Sequence, residues 1–298
     1  MERPTVDVVV PVAAADATEL GATVARLRAT LALGPNDTLT VVDNRDLGVL
    51  DEAVLVAAEV HTSYYARNRG AARGSAEWLL FLDGDVFPEP GLLDALFEPP
   101  PEPSVGVLAG AIVDAPPGPA AGAAVRFAAL KGATSQEVVL AHGPWAFAQT
   151  ANAAVRRSAF TAVGGFVADV RSGGDADLCW RLRAAGWALE SRPRAAVAHA
   201  NRAGMGGLLA QRFRHGTGAG WLAGRWRGAF PARRWPGLLY WGLSRALAGG
   251  RALARGDHDA AILGLLDGPT VWAFELGRRV PNRPLRRRGR RGRRGRRR

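Results

Sequence analysis

The chain has 298 residues, 48% of them apolar, and a formal net charge of +12, a size that can bury one large core or two small ones. Thirteen arginines and no acid fall within residues 278–298, so the rest of the chain is close to neutral and a basic surface spread over the whole body is excluded. Cys179 is the only cysteine, which excludes an intrachain disulfide and a thiolate metal cluster; no apolar run reaches the roughly 18 residues of a membrane span.

Met1 to Thr5 lead straight into strand-like sequence without a signal peptide, so a cytoplasmic location is expected. Val6 to Val10 form a continuous apolar run stopped by Pro11, as in a buried strand. Leu20, Val24, Leu27 and Leu31 then recur at helical spacing over residues 16–33. Thr38 to Val42 predict a second strand that ends at Asp43-Asn44. Residues 51–58 are expected to be helical, Val60 to Tyr64 a third strand, and Arg67 to Glu77 a helix. This alternation implies a mostly parallel sheet with helices on its faces.

Trp78 to Leu82 is apolar throughout, as expected of a strand covered on both faces, and Asp83-Gly84-Asp85 follows it directly. Open α/β sheets bind ligands beyond the carboxyl ends of their strands. Two carboxylates one residue apart at such an end can hold a hard divalent cation, which in turn neutralises phosphates. The competing reading is an Asp-Gly hairpin turn into Val86-Phe87.

Farther along, Gly91 to Phe97 is expected to be a helix, Val105 to Val113 a strand, residues 114–124 a loop and Val155 to Val163 a helix. Asp175 to Ala185 has acids at its start, Leu178 and Leu182 on one face, and Gly186 as its stop. Leu189 to Ala198 returns as strand. From residue 205 the sequence is rich in Trp, Arg and Leu, with amphipathic helices expected at 205–214, 236–248 and 257–278. Such helices either pack on the sheet or lie on a membrane interface.

Five elements then stand in a particular order: the valine strand ending in Pro11; Val41-Val42-Asp43-Asn44; Ala66-Arg67-Asn68-Arg69-Gly70; Phe81-Leu82-Asp83-Gly84-Asp85; and Gly164-Gly165-Phe166 followed by Asp175-Ala176-Asp177-Leu178-Cys179-Trp180. This order resembles the family 2 glycosyltransferases over roughly residues 5–200. The resemblance implies the GT-A nucleotide-diphosphosugar transferase fold and an inverting, metal-dependent transfer of a sugar from a nucleotide-diphosphate donor to an acceptor hydroxyl. It divides the chain into a transferase part (1–204), a C-terminal helical extension (205–280) and a disordered Arg-rich tail (281–298).

The resemblance assigns roles residue by residue. Pro11, Asp43, Arg67, Asp83 and Asp85 would bind the donor, with Asp43 toward the base and Arg67, at the start of its expected helix, toward the diphosphate. Asp85, Asp83 and His199 would hold Mn2+ or Mg2+. Asp175 would be the general base, a carboxylate that takes the acceptor's proton. Trp145, Asn152 and Trp180 would contact the acceptor. Several have a structural alternative: a turn for Asp43, a surface salt bridge for Arg67, a helix N-cap for Asp175, and core or strand-end packing for His199 and Trp145; Cys179 is expected to be a small buried apolar side chain. The family has Glu-Asp where this chain has Gly174-Asp175.

Phe213 to Ala223 resembles a segment of the glycosyltransferases of mycofactocin biosynthesis, which would make the acceptor a peptide-derived cofactor instead of a cell-envelope glycan. The Gly174 departure motivates one rival, a non-catalytic nucleotide-sugar-binding protein. The arginine tail motivates another, a nucleic-acid-binding protein, but no aromatic residues are interleaved with those arginines. An anionic membrane surface, reached from the cytoplasm, is the favoured partner of the tail.

Overall fold

The computed structural model describes residues 3–118, 120–132, 135–199, 204–231 and 233–284. The arginine tail from residue 285 onward lies outside the described residues. An eight-stranded mixed sheet has the order β3-β2-β1-β4-β7-β6-β8-β5. Its strands are β1 (Val6–Val12), β2 (Thr38–Asp43), β3 (Val54–Val56), β4 (Trp78–Leu82), β5 (Val86–Pro88), β6 (Val105–Asp114), β7 (Asn152–Arg156) and β8 (Ala188–His199). The first four in spatial order run parallel, β7 is antiparallel to both of its neighbours, and β8 is parallel to β6.

The valine strand β1 lies between β2 and β4, and its side chains alternate between two cores, as the pleat requires. Val6, Val8 and Val10 face a core built with Leu20, Val24 and Leu27 of α1 (Ala17–Thr30) and Leu92, Leu93 and Leu96 of α3 (Leu92–Phe97). Val9 faces the other core, with Tyr64 and Ala66 of α2 (Ser63–Ala71), Phe160 of α6 (Arg157–Ala162) and Leu178 and Trp180 of α7 (Gly174–Ala184). Helices therefore cover both faces. All five residues of β4 are buried, which is what carries Asp83 to the carboxyl edge of the sheet.

Three local expectations are corrected. Residues 51–58 hold the short edge strand β3, because Val54–Val56 pair in parallel with Val41–Asp43. The stretch expected as strand 60–64 and helix 67–77 holds one shorter helix, α2 (Ser63–Ala71), which the Thr62 hydroxyl caps by accepting from the Tyr65 N–H at 3.1 Å. The first part of 155–163 is strand: Ala153, Ala154 and Val155 are inserted between β4 and β6 and fully covered. Local propensity yields here to pairing on both edges.

Between β6 and β7 lie α4 (Ala123–Leu130) and α5 (Gln136–Leu140). Three long helices end the described chain: α8 (Met205–Arg225), α9 (Trp235–Ala254) and α10 (His258–Gly277). Glycines let α8 and α10 touch backbone to backbone, for a Cβ on Gly216 or Gly277 would overlap a carbonyl oxygen of the other helix. Lys131 and Arg245 flank the buried Asp267 of α10 at 2.6 and 2.9 Å, fastening it to α4's C-terminus and to α9. No helix among the described residues is long and apolar enough to cross a membrane.

Candidate active site

The carboxyl ends of β1, β2 and β4 form one edge of the sheet. Pro11 and Val12 pair with Val42 and Asp43 there, and the Asp83-Gly84-Asp85 loop passes over them. A Cβ on Gly84 would lie 3.2 Å from the Val12 side chain and 3.5 Å from the Pro11 carbonyl oxygen, so the loop hugs the end of β1. Arg26 of α1 holds this loop by donating to the Gly84 carbonyl at 2.7 Å and to the Val86 carbonyl. The hairpin reading fails, because Val86–Pro88 pairs with β8 and not with β4.

Arg67 lies inside α2, at its fifth residue, and not at a helix start as expected. What places Arg67 is burial: its side chain is 4% exposed and pairs with the Asp83 carboxylate, with the Tyr64 and Phe166 rings at 5.6 and 5.9 Å. Burial pushes the Asp83 carboxyl above the usual carboxylate range, Arg67 opposes that shift, and the charges of Asp85 and Asp175 add to it. Arg67 thus ties Asp83 to the Tyr64 ring, and the Tyr64 hydroxyl in turn bonds Asp175.

Asp43 folds a turn at the end of β2. Its carboxylate is 1% exposed and accepts from the N–H groups of Arg45, Asp46 and Leu47 at 2.8, 3.2 and 2.6 Å. These bonds fold the loop that rims the crevice, with Asp46 at a φ of 60°.

His199 ends β8 opposite Val86. Its Nε2 lies 3.8 Å from Asp85 Oδ2, and its Nδ1 lies 3.8 Å from Asp114 Oδ1. That Nδ1 is buried without a hydrogen-bond partner. Among the described residues no three His, Cys, Asp or Glu side chains converge to enclose a cation unaided. A carboxylate facing an imidazole still suits Mn2+ or Mg2+, ions that complete their shells with water and substrate phosphates. The pair Asp85–His199, with Asp83 beside it, therefore fits a divalent cation.

Asp175 does not cap its helix. The N-cap is Gly173, at φ 81°, and Asp175 is the second helical residue. Its Oδ1 accepts from the Tyr64 hydroxyl at 2.5 Å, and its Oδ2 from the Thr150 N–H and hydroxyl, both at 3.3 Å. A Cβ on Gly174 would sit 2.7 Å from the Tyr64 ring, so no acidic side chain fits there. Tyr64 and Thr150 escaped the sequence reading; the unexplained glycine at 174 was the one sign that a bulky ring lay against it. Burial and the neighbouring Asp175 charge push the Tyr64 phenol well above its ordinary value, which keeps it a donor.

Asp177, one turn-half farther along, is fully buried and accepts from Arg181 at 2.8 Å, Arg225 at 2.6 Å and the Trp226 indole at 3.0 Å. It joins α8 to α7 and has no room for an acceptor. Two residues expected to contact the acceptor are also buried. Asn152 is fully buried, its amide donating to the Ala111 and Ala195 carbonyls at 2.9 Å each. Trp180 is 2% exposed and donates to the Ala146 carbonyl at 3.2 Å. Trp145 is half-buried, edge-on to Trp180 at 5.0 Å between ring centroids.

The strand order and the acid-lined crevice at its carboxyl edge define a GT-A-type α/β fold. A mannosyltransferase from Pyrobaculum calidifontis, solved with GDP-Man and Mn2+, superposes with a TM-score of 0.54 at 16% identity, covering 93% of this chain and 73% of its own. GalNAc-T7, solved with UDP, GalNAc and Mn2+, gives a TM-score of 0.51 at 13% identity over 81% and 51% of the two chains. These are likenesses of fold. The family described as "Glycosyl transferase family group 2" matches residues 78–255, and the chain belongs to it. Pre-mycofactocin glycosyltransferases from two strains of Mycobacterium tuberculosis are 36% identical over 162 residues, 54% of this chain. The chain spans 34% of the length of those relatives.

Proposed function

We propose that this protein is an inverting, metal-dependent glycosyltransferase that moves a sugar from a nucleotide-diphosphate donor to an acceptor hydroxyl. The observation that carries the reading is Asp175, held by Tyr64 and Thr150 and linked through Tyr64 to Arg67 and Asp83. A carboxylate fixed on both oxygens beside a cluster suited to phosphate and cation has the placement of a general base. The crevice end of β1 at Pro11, the Asp43 turn and Arg67 bind and orient the donor. Asp85 and His199, with Asp83, hold the cation, which when bound supplies Lewis-acid assistance to the departing diphosphate. Asp175 takes the proton from the acceptor hydroxyl as that oxygen attacks the anomeric carbon on the face opposite the leaving group.

The acceptor we favour is a peptide-derived one of the mycofactocin type, supported by the partial match to the pre-mycofactocin glycosyltransferases. Trp145, half-buried at the rim of its aromatic cluster, is the acceptor contact retained from the three expected. We further propose that residues 205–280 act as a helical extension of the transferase part and that the protein works in the cytoplasm. A screen of nucleotide sugars by thermal shift, with and without Mn2+, followed by a transfer or donor-hydrolysis assay, tests the reading. Stabilisation that needs both sugar nucleotide and cation is expected; a protein stabilised by no nucleotide sugar in Mn2+ would overturn it.

A further inference from the structure

We propose that the outer face of α9 docks on an anionic lipid surface. The inner face of this helix is fully engaged: Leu238, Gly242, Gly249 and Ala252 are buried. The packing is so close that a Cβ on Gly249 would lie 2.9 Å from the α10 backbone. On the outer face Leu239, Leu243 and Leu247 are 47%, 60% and 65% exposed, and Tyr240 is 78% exposed. Residues four apart stack along a helix, so the three leucines form one continuous row. Single exposed leucines are ordinary, but a row of them beside an exposed aromatic marks a surface that meets something apolar.

Charge selects the partner. From Arg225 to Gly256 the sequence holds seven arginines and no acid. Asp177 and Asp267 pair with Arg225 and Arg245, while Arg227, Arg234, Arg251 and Arg255 are exposed at the ends of the helix and beside it. Two copies meeting through this face would bring like charges together, whereas anionic headgroups would neutralise them as the leucines enter the acyl boundary. The helix lies on the surface, since none among the described residues can cross a membrane. This inference rests on exposure and charge alone and is independent of sugar transfer.

The test is co-sedimentation of the full chain with vesicles of equimolar phosphatidylglycerol and phosphatidylcholine, and with phosphatidylcholine alone. The Leu243→Glu/Leu247→Glu variant and a chain lacking residues 285–298 are run in parallel. Binding to the anionic vesicles only is expected. The double variant should melt normally, because both side chains are exposed, and partition at least about tenfold more weakly for each leucine lost. The same leucine dependence should persist without the tail, and binding should fade as added salt screens the arginines. Equal binding by the wild type and a normally folded double variant would overturn the proposal. So would failure of the wild type to bind anionic vesicles, or a self-association that the double variant abolishes in the absence of lipid.

Discussion

The ring of Tyr64 fills the space that a side chain at position 174 would need, and its hydroxyl clasps Asp175, the next residue along. Tyr64→Phe keeps the ring and removes only the donor. Losing a hydrogen bond to a charged group is worth about 1.5–3 kcal/mol, so kcat should fall by about one to two orders of magnitude with the donor KM unchanged. Gly174→Ala should lower the melting temperature in wild type and much less in a Tyr64→Ala background. Equal destabilisation in both backgrounds would show that the ring is not what excludes the side chain.

Asp175→Asn separates chemistry from structure. The Asn carbonyl can still accept from Tyr64, and no N-cap is lost, since Gly173 occupies that position. Melting and donor affinity should stay near wild type while transfer drops by about 10²–10⁴-fold. Retained transfer in a folded variant would place the base elsewhere. Asp177 is not a candidate, buried as it is under Arg181 and Arg225.

Asp85→Ala should abolish the enhancement of nucleoside-diphosphate binding by Mn2+ and leave the fold intact, because the Asp85 carboxylate is half-exposed and faces His199 across 3.8 Å. His199→Ala should weaken the same enhancement less, since the carboxylate supplies the charge. Calorimetric titrations with and without Mn2+ read both effects directly. Metal-enhanced affinity that is unchanged in Asp85→Ala would remove this residue from the cation's shell.

Burial pushes the Cys179 thiol from its ordinary 9.0 up to about 12. As pH rises past 9.0, the unfolded chain loses this proton while the native chain keeps it, so the unfolded state gains and stability falls across that window. Cys179→Ala should flatten the alkaline loss of stability measured by denaturant titration. In the native protein at neutral pH the thiol should resist iodoacetamide and react only on unfolding. Rapid native-state labelling would contradict the buried environment.

How far the sequence reaches is best seen at particular residues. The strand Trp78–Leu82 and the acids beyond it are legible because a fully covered strand needs no alternation and its end is marked by polar residues. The helix carrying Asp175 is legible from its acids, its apolar face and its terminal glycine. The start of α2 is not, since a run of Tyr, Ala, Arg and Asn has almost no helical periodicity and the deciding bond is a single Thr62 cap. Asn152 and Trp180 look like polar and aromatic contacts in sequence. Their burial is fixed by Ala111, Ala195 and Ala146, partners that no local pattern reveals. Asp175 illustrates the same limit, for its two clasping residues lie 111 and 25 positions away.

The knot at Asp177 has a consequence for where this protein can be cut. Its two arginine partners come from different helices, Arg181 from the same α7 that carries Asp175 and Arg225 from the last turn of α8. Leu222 of α8 also packs against Gly173, immediately before α7. A fragment ending at residue 204 would keep the whole sheet yet leave a buried carboxylate short of one cation and an indole donor, beside an uncovered helix start. The composition changes at residue 205, yet Arg225 and Leu222 beyond that point contact α7 and the residue before it. Asp175, on the same α7, would be the first to lose its alignment, so under the proposed mechanism such a fragment should hold nucleotide better than it transfers sugar.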